Sequence, residues 1–281
     1  MRSIALPRIG TAAAWREAAR GLLSAGVRPE DVLWTWDGAA GDLFAEPAAP
    51  PAPSPALTVP KAFLEMANRV VWHSDPERFA RLYAFLWRVR DDPRLMSARG
   101  DAGLERLRTM EKNVNRCAHK MKAFVRFRDL GADGPRRRFA AWFEPTHHTV
   151  EPTAPFFTRR FGDMDWVIVT RDVTARFEEG TLSFSEGQSK PDLPEDGAEA
   201  LWGTYFRNIF NPARVKIGAM TSEMPRKYWK NMPEAQHIPD LIRTAEARAR
   251  QMQDNAPTLP PLRAAKVTER LRGPGTGSTK A

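Results

Sequence analysis

The chain is predicted to be an α+β protein, with helices packed on a modest mixed β-sheet and a β-α-β unit at the N-terminus. Three observations predict this. Apolar residues recur at helical spacing over 61–71, 79–87 and 103–124. Strand-like runs gather between Arg138 and Phe184, and helices return after Glu195. A short strand, a capped helix and a second strand open the chain.

The first strand is Ser3 to Leu6, and Thr11 is placed to cap a helix carrying Trp15, Ala19 and Leu22 to about Ser24, ended by Gly26. Val32 to Trp36 reads as the second strand, closed by Asp37-Gly38. So small a unit cannot stand alone and must pack on the rest. Six prolines between Pro47 and Pro60 mark a linker or long surface loop. A helix over Lys61–Val71 follows, then one opened by Ser74 or Asp75 with Pro76 in its first turn, then a third from about Gly103 to Phe124. The strands expected next are Phe139–Phe143, Trp166–Thr170 and Thr181–Phe184, the first two separated by a short helix around Ala154–Phe161. The organisation expected is therefore a β-α-β unit over 1–45, a Pro/Ala-rich stretch over 46–60, a main α+β domain over 61–255 and a disordered basic tail over 256–281.

Nine Trp and 42% hydrophobic residues in 281 exclude wholesale disorder. Forty-three Lys and Arg against 34 Asp and Glu give a formal charge of +9. That balance favours a polyanionic partner through phosphate contact and counterion release, or else reflects an Arg- and Ala-heavy composition. The one cysteine, Cys117, excludes an intrachain disulfide framework and a Cys-rich zinc or iron–sulfur site. The N-terminus lacks the apolar run of a signal peptide, and no stretch approaches the roughly 18 apolar residues of a membrane span. A cytoplasmic protein is expected.

The helix from Leu104 to Phe124 is the most informative stretch. Leu107, Met110, Val114, Cys117 and Met121 share one face, whereas Lys112, Arg116, His119 and Lys120 lie opposite. Six Lys or Arg and no acidic residue occur between Lys112 and Arg128. A surface helix normally intersperses Glu for favourable i,i+4 pairs. The stripe is either a phosphate-contacting face or one neutralised by carboxylates elsewhere in the fold. Cys117, on the apolar side, reads as a packed thiol.

Glu144 and His147, just past a strand, could act as an acid/base pair, since His titrates near neutrality and a carboxylate would orient it. Adjacent His147 and His148 should point to opposite sides of an extended chain, so no metal site is expected. Trp202, Tyr205, Phe206, Ile209 and Phe210 have core spacing, and Asn211-Pro212 opens a helix whose free N–H groups and Arg214 could hold an anion. Arg226, Lys227 and Lys230 interleave with Tyr228 and Trp229, a mixture suited either to phosphate contact with base stacking or to aromatic packing under long cations.

Five blocks, His119–Phe127, Ala141–His147, Pro155–Trp166, Ile209–Arg214 and Glu223–Asn231, resemble those of a bacterial domain family of unknown function described as a probable DNA metabolism or repair protein. The resemblance implies Arg116, His119, Lys120, Arg126, His147, Arg160, Asn211, Arg214, Glu223, Lys227 and Asn231 as polar site residues. It also implies a partner, because members are fused to a uracil-DNA glycosylase-like domain or encoded beside a radical-SAM protein; this chain resembles the stand-alone form. The chain departs from the family pattern at Cys117 and at Phe177–Gly180.

The function expected is a DNA-binding repair factor. It would grip phosphates through Lys112, Arg116, Lys120, Arg126, Arg160, Asn211, Arg214, Arg226, Lys227 and Lys230, and present a flipped base to Tyr228 or Trp229. No cofactor is identified. The rivals are a lesion-processing enzyme using Glu144, His147 and His119 or a lysine nucleophile (Lys120 or Lys227), and a protein-interaction scaffold without nucleic-acid contact.

Overall fold

A computed structural model describes residues 1–36, 46–47, 58–131, 135–191 and 217–254. The N-terminal unit forms as expected. β1 (Arg2–Leu6) and β2 (Val32–Trp36) pair in parallel, with Leu6 opposite Trp36, and the short β3 (Glu46–Pro47) joins the other edge of β1. The crossover is α1 (Thr11–Ser24), which buries Trp15, Ala19, Leu22 and Leu23 along one face. Thr11 is not its cap. Gly10 takes that position at φ 76°, a left-handed conformation suited to glycine, and the Thr11 hydroxyl instead donates back to the Pro7 and Arg8 carbonyls.

Helices α2 (Lys61–Val70), α3 (Arg78–Asp91) and α4 (Ala102–Phe124) follow. The α3 start falls later than expected: Asp75 accepts from the Glu77 N–H in a turn that carries Pro76, and the helix opens behind it. Asp101 caps α4, its carboxylate accepting from the Leu104 N–H at 2.9 Å.

The second sheet has the order β4-β5-β6-β7-β8, from β4 (Arg128–Gly131), β5 (Arg138–Trp142), β6 (Asp165–Val169), β7 (Val173–Glu178) and β8 (Thr181–Glu186). It is mixed, with β5 and β6 parallel and the other neighbours antiparallel. The parallel pair requires a crossover, supplied by α5 (Val150–Arg160). β7 and β8 form a hairpin whose turn holds Glu179 at φ 49° and Gly180 at φ 82°, the two positive φ angles that match strand twist. After the sheet come α6 (Ile217–Glu223), the short 3-10 segments Arg226–Asn231 and Pro233–His237, then α7 (Ile238–Arg243) and α8 (Ala245–Asp254).

Two apolar clusters hold these layers. One joins Trp15 and Trp34 of the N-terminal unit to Phe63, Phe79, Tyr83 and Leu107 of α2, α3 and α4. The other joins Phe143, Phe157, Trp166 and Ile168 of the sheet layer to Met121 of α4 and Tyr228 of the C-terminal segment. At 23 residues α4 is about 34 Å long and reaches both. Cys117 is buried at the junction, a packed thiol as its position on the helix predicts.

Candidate functional site

The solvent edge of α4 faces a groove of about 580 Å³ closed on its far side by Glu223 at the end of α6. Lys112, Arg116 and His119 line it and are exposed. Neither Lys112 nor Arg116 forms an ion pair with a described residue. Lys120 differs. It is only 8% exposed, and its amine donates to the backbone carbonyl and, at 3.1 Å, to the carboxylate of Glu223. That hydrogen bond holds the Glu223 carboxyl below its ordinary range. The basic stripe therefore divides: part is neutralised within the fold, and part remains open to a ligand.

Downstream of β5, the turn 143–149 places its two histidines on opposite sides. His147 is 9% exposed. Its Nδ1 accepts the Ser74 backbone N–H at 3.1 Å and lies 3.0 Å from the Ser74 hydroxyl, while its ring stacks on His73 at 4.2 Å. A ring that accepts at Nδ1 and stays neutral carries its proton on Nε2. Burial, helped by the nearby His73, His148 and Lys227, pushes its pKa down to about 4. His148 instead meets Asp172 at 2.9 Å and lies tilted against Trp36, ring centroids 4.2 Å apart. Arg78, buried beneath, lies 5.0 Å over that Trp36 ring, and burial lowers its pKa to about 10. The N-terminal unit thus reaches the sheet layer through Trp36 and, on α1, through the Gly10 N–H donating to both Glu151 carboxylate oxygens.

The expected acid/base pair of Glu144 and His147 is not assembled. Glu144 pairs with Lys230 at 2.6 Å and Arg171 at 3.3 Å, and it lines a separate cavity of about 500 Å³ with Trp142 and Asn231. One wall of that cavity depends on Gly187, where a Cβ would come within 2.1 Å of the Arg171 carbonyl oxygen. His147 lines another cavity, of about 180 Å³, walled by Asn113, Arg116 and Cys117 of α4, by Thr146, and by Lys227 and Tyr228. Arg116 and Lys120 line both this cavity and the groove, so the two adjoin.

The remaining predicted residues scatter. Arg126 is bound to buried Glu234 at 2.7 Å, and Lys230 to Glu144. Tyr228 is a correction to the stacking reading: it is 3% exposed and packed face to face on Phe143, so no base can lie on it. Trp229 is half-buried, its indole N–H donating to the Met224 carbonyl and its ring facing Arg226 at 5.7 Å. Arg160 is exposed at the end of α5, over Phe161. Lys227 donates to the Thr146 hydroxyl. Asn211, Arg214 and the aromatic run 202–210 lie outside the described residues. Among the described residues no three His, Cys, Asp or Glu are grouped to hold a metal, and no helix is long and apolar enough to cross a membrane. Ser74, read in the sequence only as a candidate helix cap, and His73 beside it meet His147, and Asp172 meets His148; no motif in the sequence marks these three as site residues.

Neither a curated protein nor a solved structure matches the chain. Residues 76–234, which contain α3, α4, the second sheet and the segment bearing Lys227, match a family model, and the chain belongs to that family, described as a domain of unknown function, DUF4130.

Proposed function

We propose that the protein is a DNA-binding factor of DNA repair or DNA metabolism, acting in the cytoplasm and contacting phosphates through the exposed edge of α4. The observation that carries this reading is the pair Lys112 and Arg116, one helical turn apart, exposed in a long groove and without an ion pair to any described residue. Lys112 so placed gives up bound water and counterions on meeting a phosphate, and Arg116 in addition the longer-range attraction of Glu223. His119 lies along the same edge, and Arg226 is exposed on the segment that follows Glu223. Glu111 and Glu223 also line the groove, which suits a ligand that tracks one row of cations better than one that coats the whole surface. The separation of Glu144 from His147 favours binding over acid/base chemistry by that pair. A radical-SAM or uracil-DNA glycosylase-like partner would supply the reaction, since one buried cysteine cannot ligate an iron–sulfur cluster.

The test is affinity for single-stranded and duplex DNA across a salt series. Reversing both charges, Lys112→Glu with Arg116→Glu, should lower affinity at least about tenfold at low salt and reduce the log–log salt slope by about 2. Unchanged affinity and slope would remove the groove as a nucleic-acid surface and favour the scaffold reading.

A further inference from the structure

We infer that the 180 Å³ cavity between α4, the Thr146–His147 turn and the Pro225–Tyr228 segment is a binding site for a phosphate monoester group. Placing that group at the end of a nucleic-acid strand rests on the DNA-binding reading of the adjoining groove; the anion site itself does not.

The lining contains cations and neutral donors but no carboxylate. Glu223 lines the groove rather than the cavity and is engaged with the Lys120 amine. Arg116 has no ion pair among the described residues. Lys227 spends one of its three N–H donors on the Thr146 hydroxyl and sits 4.8 Å from the Tyr228 ring centroid, which leaves donors to spare. His147 contributes a neutral donor. Its Nδ1 is occupied by Ser74, so the proton of the neutral ring is on Nε2, and Nε2 has no hydrogen-bond partner among the described residues. That N–H is available to an acceptor oxygen in the cavity.

Shape and charge narrow the ligand. Donors converge from three elements: Arg116 and Asn113 on α4, His147 on the turn, and Lys227 on the C-terminal segment. A carboxylate presents two acceptor oxygens, whereas a terminal phosphate presents three and carries nearly two negative charges at neutral pH. The groove, at about 580 Å³, has room for a chain to pass; the cavity, at about 180 Å³, has room for a terminal group. His147, held neutral, donates a hydrogen bond without adding a further charge that would repel Lys227 and Arg116.

The experiment compares one oligonucleotide with a phosphate or a hydroxyl at its 5′ end, and likewise at its 3′ end, on the full chain. A preference for one phosphorylated end on the order of tenfold is expected. Lys227→Met and Thr146→Val should each bring that ratio toward one, whereas Lys112→Gln should weaken both ligands alike and keep the ratio. In parallel, inorganic phosphate should shift the His147 ring nitrogen resonances saturably, and Lys227→Met should abolish the shift, which a merely structural histidine would not report. Salt-dependent binding with no end preference and no phosphate shift would overturn the cavity inference and leave the DNA reading standing. A saturable phosphate shift without any DNA affinity would support the anion site with free phosphate as its source, and would end the DNA reading.

Discussion

Adjacent residues in one turn receive opposite environments, and the difference is electrostatic. His147 is enclosed against His73 and Ser74, where an imidazolium would lose its hydration, while His148 faces the Asp172 carboxylate. The folded pKa of His147, about 4, is below the ordinary 6.5, so between those values the unfolded chain binds a proton that the folded chain refuses. Stability therefore falls as pH drops through this window and is unaffected by this group above it. Urea denaturation at pH 7 and pH 5 should show a loss of about 2 kcal/mol that His147→Gln largely removes. An undiminished loss in the variant would assign the effect to other groups, beginning with His73, whose pKa burial also lowers. The same logic separates lysines on one helix: Lys120 is buried and is neutralised by the exposed Glu223, and Lys112 is exposed and left without an ion pair among the described residues.

At the scale of elements, α4 is the part best specified locally. Its apolar positions at helical spacing, its Asp101 cap and the Arg88 guanidinium paired with that cap agree on where the helix begins and which face is buried. Asp101→Ala should cost about 1 kcal/mol, read as a shift in the denaturation midpoint with DNA affinity kept when measured well below the melting temperature. A loss of affinity at full folding would tie the cap to the binding edge. The strands show the converse. β7 buries Val173, Thr174, Ala175 and Phe177 and exposes Arg176 and Glu178, so buried Thr174 interrupts the alternation and its sequence alone reads weakly. β4 is four residues at a sheet edge with a register shift, and almost nothing in its composition distinguishes it from a loop.

At the scale of the whole molecule, α4 couples two apolar clusters, with Leu107 and Val114 in the first and Met121 in the second. The clusters should therefore melt together. Leu107→Ala and Met121→Ala are each expected to cost about 3 kcal/mol and to move one common transition seen by far-ultraviolet circular dichroism and by tryptophan fluorescence. Two separated transitions would show instead that the helix breaks near Cys117 and the clusters fold apart.

Periodicity, caps and turn residues act over a few neighbours, and they alone determined the β-α-β opening, the three long helices, three of the five strands in the second sheet and the apolar placement of Cys117. Which cations remain available was not a local property. It depended on Glu223 and Glu234 arriving from more than a hundred residues away to neutralise Lys120 and Arg126. The tertiary structure likewise parted Glu144 from His147, turned Tyr228 into the core, and joined Thr146, Lys227 and Arg116 around one cavity. Pairing of charges and closure of a cavity are settled by distances through space, and sequence spacing does not encode those distances once the chain has crossed a sheet.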